Sequence, residues 1–115
     1  MQTDTTTLVF RALADPTRRM ILEKIAVRPI HVAKLTQQFP ISRPAISKHL
    51  GVLKDAGLVS YTETGKKRMY RMEPARLSLA DRWLEHYRHF WEESLRNLKQ
   101  HVESSSPSGK KRMRI

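Results

Sequence analysis

A mainly α-helical fold with one small β-hairpin is predicted by this sequence from three observations. Apolar residues recur at helical spacing through residues 5–56 and again over 76–103, most stretches opening at a capping residue or a proline. Between 58 and 72 the composition turns β-rich around Thr64-Gly65-Lys66-Lys67, which reads as a turn. The two helices before that hairpin are joined so tightly that they must cross steeply.

The elements follow in order. Thr5 to Ala14 forms a short helix with Val9, Ala12 and Leu13 on one face and Leu8 and Phe10 to either side. Asp15 stops it and Asp15-Pro16 starts the next, because the carboxylate accepts orphan amide hydrogens and proline at the first helical position loses no bond. That second helix runs to about Ala26, burying Ile21, Leu22 and Ile25 and leaving Arg18, Arg19, Glu23 and Lys24 in water; Arg28-Pro29 closes it. Val32, Leu35 and Phe39 mark a short third helix with His31 as N-cap and Ile30 as a staple, ending near Gln38 because Pro40 disfavours helical geometry at Phe39.

Ser42 caps a fourth helix reaching about Ala56, in which Ile46, Leu50 and Leu53 form the buried stripe. Pro44 is tolerated in its first turn. Gly51 interrupts it at a cost of about 1 kcal/mol relative to alanine, and Gly57 caps its end. Leu58 to Glu63 and Arg68 to Met72 are the hairpin strands, and Glu73-Pro74 ends the second. From Arg76 to about Glu103 a long helix carries Leu77, Leu84, Trp91 and Leu98 at seven-residue intervals, joined by Trp83, Tyr87, Phe90, Leu95 and Val102, too much apolar surface for a lone helix. This order, α-α-α-α-β-β-α, is that of a winged helix-turn-helix. Residues 1–103 are expected to form that domain, and 104–115, rich in serine and then in lysine and arginine, a disordered basic tail.

Charge narrows the partners. The chain carries a formal net charge of +11, which suits a polyanion or an acidic surface. Only Lys110, Lys111, Arg112 and Arg114 of that surplus lie in the tail, so the folded part is itself basic. From Ser42 to Met72 seven basic side chains stand against Asp55 and Glu63 alone, so this face should attract phosphates. Ser42, Arg43, Ser47 and Lys48 lie in the N-terminal half of the fourth helix, where a recognition helix shows hydrogen-bonding side chains to base edges, and Arg43 has the fork that fits guanine. Lys66, Lys67 and Arg68 at the hairpin tip are candidates for phosphate or minor-groove contact. His49 is a further candidate for DNA, although its helical angle also suits partial burial against a neighbouring element.

Other chemistries are absent. With no cysteine there are no disulfides, thiolate metal sites or thiol switches. No glycine-rich phosphate loop, cysteine nucleophile or carboxylate–histidine cluster points to an enzyme, and no cofactor is implied. No apolar run approaches a membrane span and the N-terminus lacks the pattern of a secretory signal, so a cytoplasmic protein is expected.

Leu13-Ala-Asp-Pro-Thr-Arg-Arg-Met-Ile-Leu22, Ser42-Arg-Pro-Ala-Ile-Ser-Lys-His-Leu50 and Leu53-Lys-Asp-Ala-Gly-Leu-Val59 resemble, in order and spacing, the ArsR/SmtB family of bacterial repressors over roughly residues 6 to 100. Two positions depart from the family pattern: Pro40, where many relatives have glycine, and Gly51, where many have a long or basic side chain. The resemblance implies a homodimeric repressor of double-stranded operator DNA, with base contacts from Arg43, Ser47 and Lys48. It also implies dimerisation through the first and last helices, involving Val9, Leu84, Tyr87, Trp91, Leu95 and Leu98. Relatives that bind zinc on the last helix use Asp-x-His followed after ten residues by His-x-x-His or His-x-x-Glu. Asp81 begins that pattern here, but the other positions hold Trp83, Ser94 and Asn97, which cannot replace an imidazole or carboxylate. A metal-independent regulator is expected; the alternatives are a divalent-ion site from His86, His89 and Glu93, spaced i, i+3, i+7 on the last helix, and a nonspecific nucleic-acid-binding protein.

Overall fold

The computed structural model describes residues 4–105. Its elements are α1 (Thr5–Leu13), α2 (Pro16–Val27), β1 (Ile30–His31), α3 (Val32–Gln37), α4 (Arg43–Asp55), β2 (Val59–Thr64), β3 (Lys67–Met72) and α5 (Pro74–Ser105). They form two compact units, one up to Asp81 and the other from Arg82 onward, so that α5 begins in the first and continues as the second.

Local chemistry sets the helix starts. Asp4, Asp15 and Ser42 have extended backbones and accept from the amides of Thr7, Arg18 and Ala45, each three residues on. Proline in the first turn of α2 and α4 adds its fixed φ without sacrificing a bond. Gly57 (φ 76°) turns the chain out of α4 in the left-handed region, and a Cβ there would lie 2.7 Å from Arg76 Cγ.

Apolar stripes of the first four helices converge on one core. Val9 and Ala12, Ile21 and Ile25, Leu35, Ile46, Leu50 and Leu53 are buried together with Leu58, Val59 and Tyr70 from the sheet side and Ala80 from the start of α5. Val9 is wholly enclosed, which corrects its assignment to a dimer interface: its side chain faces the chain's own core.

Three further expectations are revised. Arg18 and Arg19 do not simply extend into water. Arg18 Nε and Nη2 donate to the carbonyls of Ala12 and Arg11 at 2.8 and 2.9 Å, and Arg19 Nη1 to that of Leu13 at 2.7 Å. These carbonyls belong to the last turn of α1, where that of Arg11 also accepts from Ala14 N, and the added bonds pin the α1–α2 corner. Secondly, the hairpin belongs to a three-stranded antiparallel sheet of order β1-β3-β2. Ile30 and His31, expected as staple and cap, pair with Tyr70 and Met69, and His31 caps α3 through its backbone position alone. Finally, α5 continues to Ser105, past the expected start of the tail at 104; residues 106–115 lie outside those described.

Candidate nucleic-acid interface

α3 and α4 contain the helix pair and β2–β3 the hairpin beside it. Thr64 pairs with Lys67, leaving a two-residue turn in which Gly65 has φ 63° and Lys66 a negative φ, the sign pattern of a type II′ turn suited to strand twist. Lys66 is thereby placed at the tip with Lys67 beside it, both exposed.

Between α3, α4 and the hairpin lies an open groove of about 660 Å³. α4 contributes Arg43, Ser47, Gly51, Lys54 and Asp55, the hairpin Tyr61, Lys66, Lys67, Arg68 and Tyr70, and the β1–α3 segment His31, Lys34 and Gln37 among others. Positions 43, 47, 51 and 54 follow one line along a helix, being four or three residues apart. The lining holds six lysines and arginines against one carboxylate, Asp55, so the groove has the electrostatic character of a phosphate-binding surface.

The hairpin is tied to α4 through one aromatic ring. Arg68 Cζ lies 4.5 Å and Lys54 Nζ 5.3 Å from the centroid of Tyr61, distances at which a cation is drawn to the ring. Tyr61 packs on its cross-strand partner Tyr70 at 5.1 Å between centroids. Arg68 Nε donates to Glu63 Oε1 at 3.1 Å across the registered pair. Its guanidinium is therefore held in place, while Arg71 is engaged at the base of the hairpin by Ser60 and Glu73.

Of the residues proposed from sequence, Arg43, Ser47, Lys66, Lys67 and Arg68 meet in this groove. Ser42, Lys48 and His49 do not line it. Ser42 Oγ is the N-cap of α4, accepting from Ala45 N at 3.3 Å. Lys48 is exposed on another face of α4. His49 is half-buried with Nδ1 4.0 Å from Asp15 Oδ2 at the start of α2, the neighbouring-element alternative to its role toward DNA. Lys34, Gln37, Lys54 and Tyr61 also line the groove and were not singled out. Lys54 was readable as the continuation of the 43–47–51 line; Lys34, Gln37 and Tyr61 depend on how separate elements meet.

In the second unit α5 carries Trp83, Leu84, Tyr87, Phe90, Trp91 and Leu98 exposed, and Leu95 half-buried. Trp83 and Tyr87 pack one turn apart with centroids at 4.8 Å and their ring planes tilted by 43°. His89 Nε2 lies 3.9 Å from Glu93 Oε2, but no group of three histidine, aspartate or glutamate side chains among the described residues is gathered to hold a metal ion, so His86 does not complete a site with them.

A helix pair joined by a short turn and followed by a basic antiparallel hairpin defines a winged helix-turn-helix, a DNA-binding class of fold. The chain belongs to the arsR family of bacterial regulatory proteins: residues 15–61 match that family, and longer relatives extend the match. It is 40% identical over 95 residues to the HTH-type transcriptional regulator Rv2034 of Mycobacterium tuberculosis, covering 83% of this chain and 86% of the relative. Against the transcriptional repressor SdpR of Bacillus subtilis it is 34% identical, covering 66% of this chain and 84% of the relative. An ArsR-like transcriptional regulator from Rhodococcus sp. RHA1 superposes with a TM-score of 0.67 at 35% identity, covering 85% of this chain and 92% of that one. A crystal structure of another ArsR family transcriptional regulator gives 0.71 at 30% identity, covering 80% and 97%. The chain is thus a DNA-binding transcriptional regulator and not an enzyme.

Proposed function

We propose that the protein is a homodimeric, metal-independent repressor that reads operator DNA with α4 and holds the flanking backbone with its wing. The observation that carries this reading is the groove in which Arg43 and Ser47 stand in line with Lys54, facing Lys66, Lys67 and Arg68. Arg43 in the first turn of α4 has the reach and fork for guanine O6 and N7, Ser47 one turn on can donate to or accept from a base edge, and the wing lysines supply phosphate contacts. Ser42 and Lys48, exposed at the N-cap and on α4 but outside this line, are assigned further contacts with the duplex.

Dimerisation is supported by the apolar face of α5, where Leu84, Tyr87, Trp91 and Leu98 are exposed together, with Leu95 beside them. A soluble chain rarely leaves so much contiguous aromatic and aliphatic surface uncovered. Two copies place two recognition helices on one duplex, which matches the half-site arrangement of such operators. Metal independence rests on the lack of cysteine and on Trp83, Ser94 and Asn97 at the positions where zinc-binding relatives would need ligands. Among the described residues no helix is long and apolar enough to cross a membrane, and a regulator of this family works where the DNA is, in the bacterial cytoplasm.

The test is a fluorescence-anisotropy titration of the protein against the duplex upstream of its own gene and a scrambled duplex of equal composition, at two salt concentrations. A preference of roughly a thousandfold or more that survives added salt is expected. Equal and steeply salt-sensitive binding to both would favour a nonspecific nucleic-acid-binding protein.

A further inference from the structure

Nothing in the fold requires a glycine at position 51. Gly51 lies in the interior of α4, its φ is not among the positive ones, and a Cβ built on it meets no atom within 4 Å. Alanine would fit there without strain, and glycine inside a helix is the less stable choice. A residue that weakens its own helix without packing cause invites a cause outside the free chain.

Its position supplies one. Gly51 stands on the groove-lining row of α4 between Ser47 and Lys54. Read along that row, the groove wall is a long cation, a hydroxyl, bare backbone, then another long cation. The N-terminal half of a recognition helix lies among base edges, while its C-terminal half leaves the major groove past a phosphodiester strand. Lys54, one turn beyond Gly51, and the wing's Lys66 and Lys67 across the groove are the cations such a strand would meet.

We propose that Gly51 is a contact point for the DNA backbone, a gap in the side-chain surface of α4 through which the sugar–phosphate strand held by Lys54, Lys66 and Lys67 packs directly against the helix backbone. The inference rests on the reading that α4 faces DNA. Gly51 sets how deeply the helix seats and so determines whether Arg43 and Ser47 reach base edges; it positions them without touching a base.

The experiment compares wild type, Gly51→Ala and Val52→Ala by thermal unfolding and by anisotropy titration on the duplex upstream of the gene. Val52 neighbours Gly51 on α4 but does not line the groove, and its replacement raises helix propensity without adding bulk there. Gly51→Ala is expected to melt a few degrees higher than wild type and to bind about tenfold more weakly. Its dependence on salt should be unchanged because no cation is removed, and Val52→Ala should bind as wild type. Gly51→Ala binding as tightly as wild type would overturn the proposal. So would an equal loss in Val52→Ala, which would trace the effect to helix stiffness rather than bulk. A wild type that shows no preference for this duplex over the scrambled one would instead remove the reading beneath the inference.

Discussion

Asp15 serves two elements at once. Its Oδ2 accepts from the Arg18 amide at 3.0 Å, capping α2, and lies 4.0 Å from His49 Nδ1 on α4. The Arg18 amide is the main reason its carboxyl titrates below the ordinary carboxylate range; partial burial opposes that shift, and the charges of Arg18 and His49 and the Thr17 amide add to it. A carboxyl depressed in the folded state contributes stability above its unfolded pKa and loses it as pH falls through the folded value. Wild type should therefore be more stable than Asp15→Asn at neutral pH, by a margin that is lost as pH falls below the ordinary carboxylate range. Urea unfolding of both proteins at a series of pH values measures this margin; a margin independent of pH would contradict the assignment. The caps at Asp15 and Ser42 were legible in sequence because their partners lie three residues away. Arg18 and Arg19 were not, since their hydrogen bonds go to carbonyls that only the fold of the α1–α2 corner brings within reach. For His49 sequence left two options, and the structure places it against Asp15.

Among the elements, the wing shows how a short hairpin is aimed. Tyr61 lies between it and α4, with Arg68 and Lys54 both near its ring, so Arg68 is partly committed within the protein while Lys66 and Lys67 at the tip are not engaged in any ion pair among the described residues. Replacing Lys66 and Lys67 with glutamine should weaken binding to native and scrambled duplexes alike. It should also reduce the slope of log affinity against log salt by about one for each phosphate no longer neutralised, which titrations over a salt series would read. An unchanged slope would mean that the tip does not touch the backbone. Helix positions and the hairpin turn were legible from periodicity and from Gly65. The short β1 was not, because Ile30-His31 is too brief to show alternation and pairs with Tyr70 and Met69 far along the chain. The groove was half legible for the same reason: the row on α4 follows from helical spacing, whereas Lys34 and Tyr61 join it only through tertiary packing.

For the whole molecule, the seven-residue repeat on the last helix divides between two tasks. Leu77 packs against the core of the first unit, while Leu84, Trp91 and Leu98 in the second remain exposed. Sequence spacing showed one continuous stripe; it could not show which part the chain would cover by itself. The same limit explains Val9, apolar on a helix expected at the interface yet enclosed in the core. Leu84→Glu combined with Trp91→Glu should convert a dimer to a folded monomer in sedimentation velocity, with wild-type helix content by circular dichroism and much weaker operator binding. A variant that sediments as wild type would place the interface elsewhere. What ties residue, helix and dimer together is the claim that α4 reads base pairs in the major groove through Arg43. The most direct test is methylation interference at guanine N7, a major-groove atom, on the upstream duplex with wild type and Arg43→Ala. Methylating a particular guanine in each half-site should block wild type, and the same guanine should no longer matter to Arg43→Ala, whose discrimination there falls by about 1–3 kcal/mol. Wild-type binding indifferent to methylation at every guanine would contradict the claim.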